Sequence, residues 1–200
     1  MKRKLCRTLL VLFVSAVLCT TATAEKGDIH FEFRVPASLG WWTPVNEDWH
    51  GIMSGVGGIR AGIELFPLTQ NKLSNERGFR PSLRLLAGYR FGIGAPDTYS
   101  ARLHTLSTDC SLLLRYNFTR QHHAYIGLGA QWQMDILDYN PKYRNRTKET
   151  WRGTAVNVCT GYELALNTRL WVFGELGFMH VVSNGLFDTF MPVIGLSWGL

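Results

Sequence analysis

Pro192-Val-Ile-Gly-Leu-Ser-Trp-Gly-Leu200 ends the chain, and apolar and small or polar residues alternate along it. Ile194, Leu196 and Trp198 fall on one face of an extended strand, because successive side chains point to opposite sides. Seven upstream segments alternate in the same way, at roughly 28–36, 52–65, 81–93, 105–118, 124–136, 152–164 and 169–181. An even number of strands of about ten residues, ending in an apolar and aromatic strand, predicts an eight-stranded antiparallel up-and-down transmembrane β-barrel.

The first 24 residues have the pattern of a secretory signal peptide. Positive charges precede an apolar run from Leu9 to Leu18 that is too short to span a bilayer, and Ala22-Thr-Ala24 supplies small residues for cleavage. We therefore predict a signal peptide at 1–24 and one barrel domain at 25–200.

Removal of this segment changes the charge balance. Four of the 21 Lys and Arg residues lie in it, which leaves 17 against 15 Asp and Glu, a net charge of +2. A mature chain this close to neutrality carries no footprint for nucleic acid.

A water-soluble barrel of the lipocalin type would also alternate, with its apolar faces inside. The four lysines after the signal, Lys26, Lys72, Lys142 and Lys148, are expected in loops or termini, whereas a sheet facing water uses lysine freely. The lysine-free strands favour the membrane barrel. Short connections at 119–123 and 165–168 alternate with longer ones, which predicts that both mature termini are periplasmic. The connection from Pro67 to Arg80 breaks this alternation, because a short turn is expected there.

The polar strand faces carry charged residues that are expected to point into the barrel. They are a candidate ion path or, alternatively, a packed interior of paired charges. An eight-stranded barrel has room only for its own side chains, so we expect a structural charge network and no open pore. Its members are Glu32, Arg34, Arg60, Glu64, Arg84, Arg90, Asp109, Arg115, Asp135, Glu163 and Glu175.

From about residue 27 to residue 200, the pattern, the signal and the terminal Leu196-Ser-Trp198-Gly-Leu200 resemble the small eight-stranded outer-membrane barrels of the OmpA-transmembrane and OmpX type. The style of the last strand is similar to the Bacteroidetes-like members, although Leu200 stands where an aromatic residue is usual. The resemblance implies a monomer in the bacterial outer membrane. Its expected partners are membrane lipid, lipopolysaccharide and the barrel assembly machinery, with no cofactor and no metal.

One segment suggests an enzyme. Phe178-Met-His180-Val-Val-Ser183-Asn184-Gly resembles the His-x-Ser-Asn run of the outer-membrane lipid A 3-O-deacylases. That resemblance implies His180 as general base, Ser183 as nucleophile and Asn184 as oxyanion donor. Here the His–Ser spacing is three, so a regular strand would put the two side chains on opposite faces and only a bulge would reunite them. Asp188 is the one acid that follows.

The connection around Lys142, Arg144, Arg146 and Lys148 is basic and aromatic, and it is a candidate contact for lipopolysaccharide phosphates or a surface ligand. Trp41, Trp42 and Trp49 are expected in the first long loop as an interface belt. From the sequence alone we expect a non-enzymatic envelope or surface-recognition protein, with the deacylase as the alternative.

Overall fold

A computed structural model of the chain describes residues 30–45, 53–68, 78–94, 99–141, 147–184 and 188–200. The predicted signal peptide and Trp49 lie outside these ranges. Eight strands follow one another as β1 His30–Pro44, β2 Met53–Leu68, β3 Gly78–Gly94, β4 Tyr99–Asn117, β5 His122–Pro141, β6 Thr147–Ala165, β7 Leu170–Ser183 and β8 Thr189–Gly199. The described residues contain no helix that is long and apolar enough to cross a membrane.

Each strand pairs antiparallel with the next, and β1 pairs with β8, so the sheet is a closed barrel in the order of the sequence. The last residue takes part in the closure, since the Leu200 amide donates to the Phe33 carbonyl at 3.0 Å. Closure leaves no unpaired sheet edge, which a backbone in lipid requires. The predicted eight-stranded up-and-down barrel is confirmed.

Two short turns, 118–121 and 166–169, lie at the same end of the barrel as the chain terminus, here called the short-turn end. The Thr119 hydroxyl accepts from the Gln121 and His122 amides, and the Asn167 side chain accepts from Arg169 and Leu170. These side chains satisfy the donors of tight turns locally, which is why Thr and Asn stand there. The opposite end, which holds the β1–β2, β3–β4, β5–β6 and β7–β8 connections, is called the long-connection end after the length that the sequence predicted for them.

The distribution of residues is inverted relative to a soluble protein. Exposed apolar side chains follow the outer face of every strand, for example Leu39 at 62%, Ile126 at 61% and Ile194 at 64%. On β1 this face runs from Phe31 to Trp41, about 25 Å along the axis for strands tilted about 40°. A lipocalin-type barrel would bury these side chains, so the soluble alternative is wrong.

Most strands extend further toward the long-connection end than the alternation indicated. β4 begins at Tyr99 and β5 ends at Pro141, because ladder hydrogen bonding continues after the apolar exterior has ended. Two sequence expectations are wrong for this reason. Lys148 lies on β6, and Trp41 and Trp42 lie on β1 rather than in a loop.

The two ends of the lumen differ. Toward the long-connection end, Trp42 is 1% exposed and points inward, where it packs with Met53, Leu103, Met179 and Met191. The rest of the lumen holds arginines and carboxylates together with neutral polar side chains and a few aromatic rings. The alternation did not predict this apolar layer, because the sequence places Trp42 among residues typical of the membrane interface.

Candidate functional site

The charged lumen residues meet in clusters. Nearest the short-turn end, Arg115 forms a double fork. Its Nη2 lies 2.9 Å from both Glu64 Oε2 and Glu163 Oε1, its Nε donates to Glu163 at 3.2 Å, and Nη1 contacts Glu64 Oε1 and the Ser82 hydroxyl. All four side chains are buried. Two carboxylates share one guanidinium, and the planar fork of arginine suits this arrangement.

A second cluster lies in the middle of the lumen around Glu175. Arg84 approaches one carboxylate oxygen at 2.6 Å and Arg60 the other at 2.9 Å, while the Tyr125 hydroxyl donates at 3.0 Å. Here two cations share one anion, the inverse of the Arg115 cluster.

The other predicted lumen charges have partners too. Arg34 contacts Glu32 at 2.8 Å and Glu163 at 3.5 Å, and Arg90 donates to Gln133 at 2.9 Å. Asp109 accepts from Ser111 at 2.6 Å and also from Asn157, and Asp135 accepts from Thr105 at 2.6 Å and from Gln133 at 2.9 Å.

Aromatic side chains stack on these guanidinium groups. Arg34 lies 3.7 Å from the Trp171 ring centroid and 4.3 Å from that of Phe66, and Arg115 lies between Phe66 and Tyr125. These rings are not among the residues that the sequence predicted for the lumen, although Tyr125 has the same parity along β5 as the lumen residue Asp135. Beside Trp42 and Arg90 lies a cavity of only about 10 Å³, room for about one water.

The second group of interest lies on the outer face, near the end of β7. Val156 pairs with His180 and Ala155 with Val181, but Thr154 pairs with Ser183, so Val182 is an extra residue in a β-bulge. The Ser183 hydroxyl lies 2.8 Å from that of Thr154, an outward-facing residue on β6. The bulge therefore returns Ser183 to the outer face that His180 shares with Phe178 and Leu176.

Asp188 lies beside this histidine. Its Oδ2 is 2.9 Å from His180 Nδ1, and its Oδ1 accepts from the Val181 amide at 2.8 Å. The Val181 hydrogen bond holds the carboxylate against the bulge, so Asp188 fixes the ring of His180. The His180 side chain is 64% exposed, whereas that of Asp188 is 26% exposed.

Because Val156 and Thr154 are two residues apart on one face of β6, their partners His180 and Ser183 are neighbours on the outer face of β7. Serine, histidine and a carboxylate thus lie near one another on this face: His180 is bonded to Asp188, and the Ser183 hydroxyl is bonded to Thr154. Asn184 follows directly in a left-handed conformation, φ 49°, and is exposed.

Of the four basic residues predicted as a surface contact, the structure describes only Lys148. Lys142, Arg144 and Arg146 lie outside the described residues. Lys148 is exposed on the outer face of β6. In the ranges that the structure describes, no three His, Cys, Asp or Glu side chains are arranged to hold a metal ion.

No family model matches the chain, and no curated protein matches it in sequence. Among solved structures, a major outer membrane protein of Thermus thermophilus is similar with a TM-score of 0.63 at 9% identity, over 85% of this chain and 99% of that one. Neisserial surface protein A is similar with a TM-score of 0.50 at 13% identity, over 84% and 96%. The outer membrane enzyme PagL aligns with a TM-score of 0.42 at 13% identity, over 82% of this chain and 97% of that one.

The first two similarities carry the assignment of the fold. They agree with the closed ring of eight antiparallel strands and with its apolar exterior. The chain is a small eight-stranded β-barrel of the bacterial outer-membrane type.

Proposed function

We propose that this outer-membrane barrel hydrolyses an acyl ester of a membrane lipid, with Ser183 as nucleophile, His180 as general base and Asp188 as the group that orients the base. The bulge at Val182 carries this proposal. In a regular strand the spacing of three would put Ser183 and His180 on opposite faces. The bulge brings both to the outer face, which contacts lipid.

The chemistry follows from the arrangement. Ser183 Oγ attacks the ester carbonyl carbon while His180 Nε2 takes the hydroxyl proton, and His180 Nδ1–H donates to Asp188. The tetrahedral intermediate collapses, the His180 imidazolium gives its proton to the leaving alkoxide, which departs as the alcohol, and the acyl group stays on Ser183. A water molecule, deprotonated by His180, then releases the fatty acid and restores the serine. Asn184 is the proposed donor to the oxyanion.

The position of the group on the outer face supports a lipid substrate. On β7 the exposed apolar side chains Leu176 and Phe178 precede His180, and Val182 is exposed in the bulge beyond it. His180 and Ser183 are therefore polar groups on an apolar outer face, and we propose that the acyl ester of a lipid packed against this face reaches them. Thr154 holds the Ser183 hydroxyl on the outer face at 2.8 Å. The proposed reaction requires this hydrogen bond to be exchanged for one to His180.

The second candidate is a non-enzymatic envelope or surface-recognition role. The interactions of Asp188 favour this role. Its carboxylate contacts His180 and accepts from the Val181 amide, and its backbone carbonyl accepts from the Val45 amide. Together they anchor the chain between β7 and β8, so Asp188 also has a structural role. In both cases we propose that the packed lumen is not a pore. We also propose that residues 1–24 are a cleaved signal and that the monomer is inserted by the barrel assembly machinery.

We expect that lipids extracted from cells expressing the protein lose one ester-linked acyl chain, because the proposed nucleophile Ser183 lies on the outer face that contacts lipid. Mass spectrometry of the lipid A and phospholipid fractions measures the loss, with Ser183→Ala as the inactive variant and Ser107→Ala, a lumen serine, as the matched control. Intact lipids in wild-type cells, with the barrel folded, would favour the non-enzymatic role.

A further inference from the structure

Beyond Thr154, the outer face of β6 changes from apolar to cationic. Arg152 and Lys148 are exposed on the same face as Thr154, whereas Val158 and Tyr162 occupy that face toward the short-turn end. Neither cation has a hydrogen bond or ion pair with any residue in the described ranges. Their charges are therefore available to an external anion.

The position of Arg152 relates it to the candidate site. It is two residues from Thr154 on one face of one strand, about 7 Å away, and Thr154 contacts Ser183. Lys148 lies about 13 Å further along the same face. On the neighbouring strands, Asp138 of β5 pairs with Lys148 on one side and with Arg102 of β4, an exposed arginine, on the other. The net charge of these residues together with Arg152 is therefore positive.

The charges follow the layers of a lipid leaflet. Along the outer face of β6, apolar Val158 comes first, then Thr154 with the neighbouring Ser183, and then the cations toward the long-connection end. This is the order of acyl chain, ester and headgroup phosphate in a lipid. A guanidinium offers two donors to a phosphate, and an ammonium adds a point charge.

We propose that Arg152 and Lys148 bind the phosphate headgroup of the lipid whose acyl ester reaches Ser183. This inference rests on the proposed function for the identity of the ester. The binding step itself needs no hydrolysis, so it is measured separately.

The test uses the full mature barrel in detergent micelles, titrated with an ether-linked phosphatidic acid that no esterase cleaves, and native mass spectrometry counts the bound lipid. Each cation near a lipid surface contributes about fivefold in affinity. We therefore expect Arg152→Gln with Lys148→Gln to raise the Kd about twentyfold. The matched control removes two exposed cations from the short turns, Arg120→Gln with Arg169→Gln, and leaves the Kd unchanged.

Equal Kd values for wild type and the Arg152/Lys148 variant would overturn the proposal, as would an equal loss in the Arg120/Arg169 control. Displacement of the lipid by millimolar inorganic phosphate would also overturn it, since the site would then select a free anion. If cellular lipids keep their acyl chains while binding still depends on Arg152, the ester hydrolase falls and the headgroup site stands.

Discussion

Replacement of Arg115 by leucine is expected to lower the free energy of unfolding by about 3–5 kcal/mol. The substitution leaves Glu64 and Glu163 buried beside each other without the guanidinium that contacts both. Neither carboxylate regains water in a lumen this tightly filled, and Glu163 keeps only the longer contact with Arg34 at 3.5 Å, so most of the compensation for their desolvation is lost. Denaturant unfolding in micelles, followed by tryptophan fluorescence, measures the change.

Two comparisons make this measurement specific. Arg120→Leu removes an exposed arginine from a short turn, and we expect a change within about 0.5 kcal/mol. Adding Glu64→Gln and Glu163→Gln to Arg115→Leu should recover part of the loss, because neutral amides cost less to bury than unpaired carboxylates. If Arg115→Leu were as stable as wild type, the polar face would not be a packed interior.

Substitution of Ser183 by alanine is expected to reduce ester hydrolysis at least about 10³-fold, with His180→Ala equally severe, because nucleophile and base act as one unit. Asp188→Asn keeps the shape of the side chain but loses the charge that stabilises the imidazolium, so a smaller loss is expected. Initial rates on a chromogenic acyl ester in micelles measure these effects.

His122→Ala is the matched histidine control. His122 is hydrogen-bonded to Tyr162 at 2.5 Å at the opposite end of the barrel, and its loss should leave the rate unchanged. A second variant, deletion of Val182, removes the extra residue and leaves His180 and Ser183 two apart in a regular strand, so activity should persist. Hydrolysis that survives Ser183→Ala would mean that another group performs the chemistry.

The alternation predicted the fold because in a membrane barrel it records burial directly. Leu85, Tyr89 and Ile93 point to lipid and Arg84, Arg90 and Gly92 to the lumen, as the period of two requires. The sequence prediction was wrong for Trp42, which points into the lumen from β1 and does not lie in a loop. Outside the apolar band the exterior turns polar, and a lumen-facing tryptophan there resembles a belt residue in sequence.

The candidate site was predicted only in part. Sequence identified His180, Ser183 and Asn184, but a strict period of two put Ser183 inside the barrel. The Val181-Val182 pair interrupts the alternation, and such a break is the one local sign of a bulge. The contacts of Asp188 and Thr154 with this group depend on strand register and on the path of the chain after β7, neither of which the local sequence encodes.

Covalent labelling by a fluorophosphonate tests the central claim most directly, since the reagent reacts with a serine hydroxyl only when a base activates it. The folded barrel in micelles should gain one adduct, which peptide mass spectrometry places on Ser183, and His180→Ala should slow its formation at least about 100-fold. An unlabelled folded barrel, or equal labelling of wild type and His180→Ala, would contradict the outward-facing serine hydrolase.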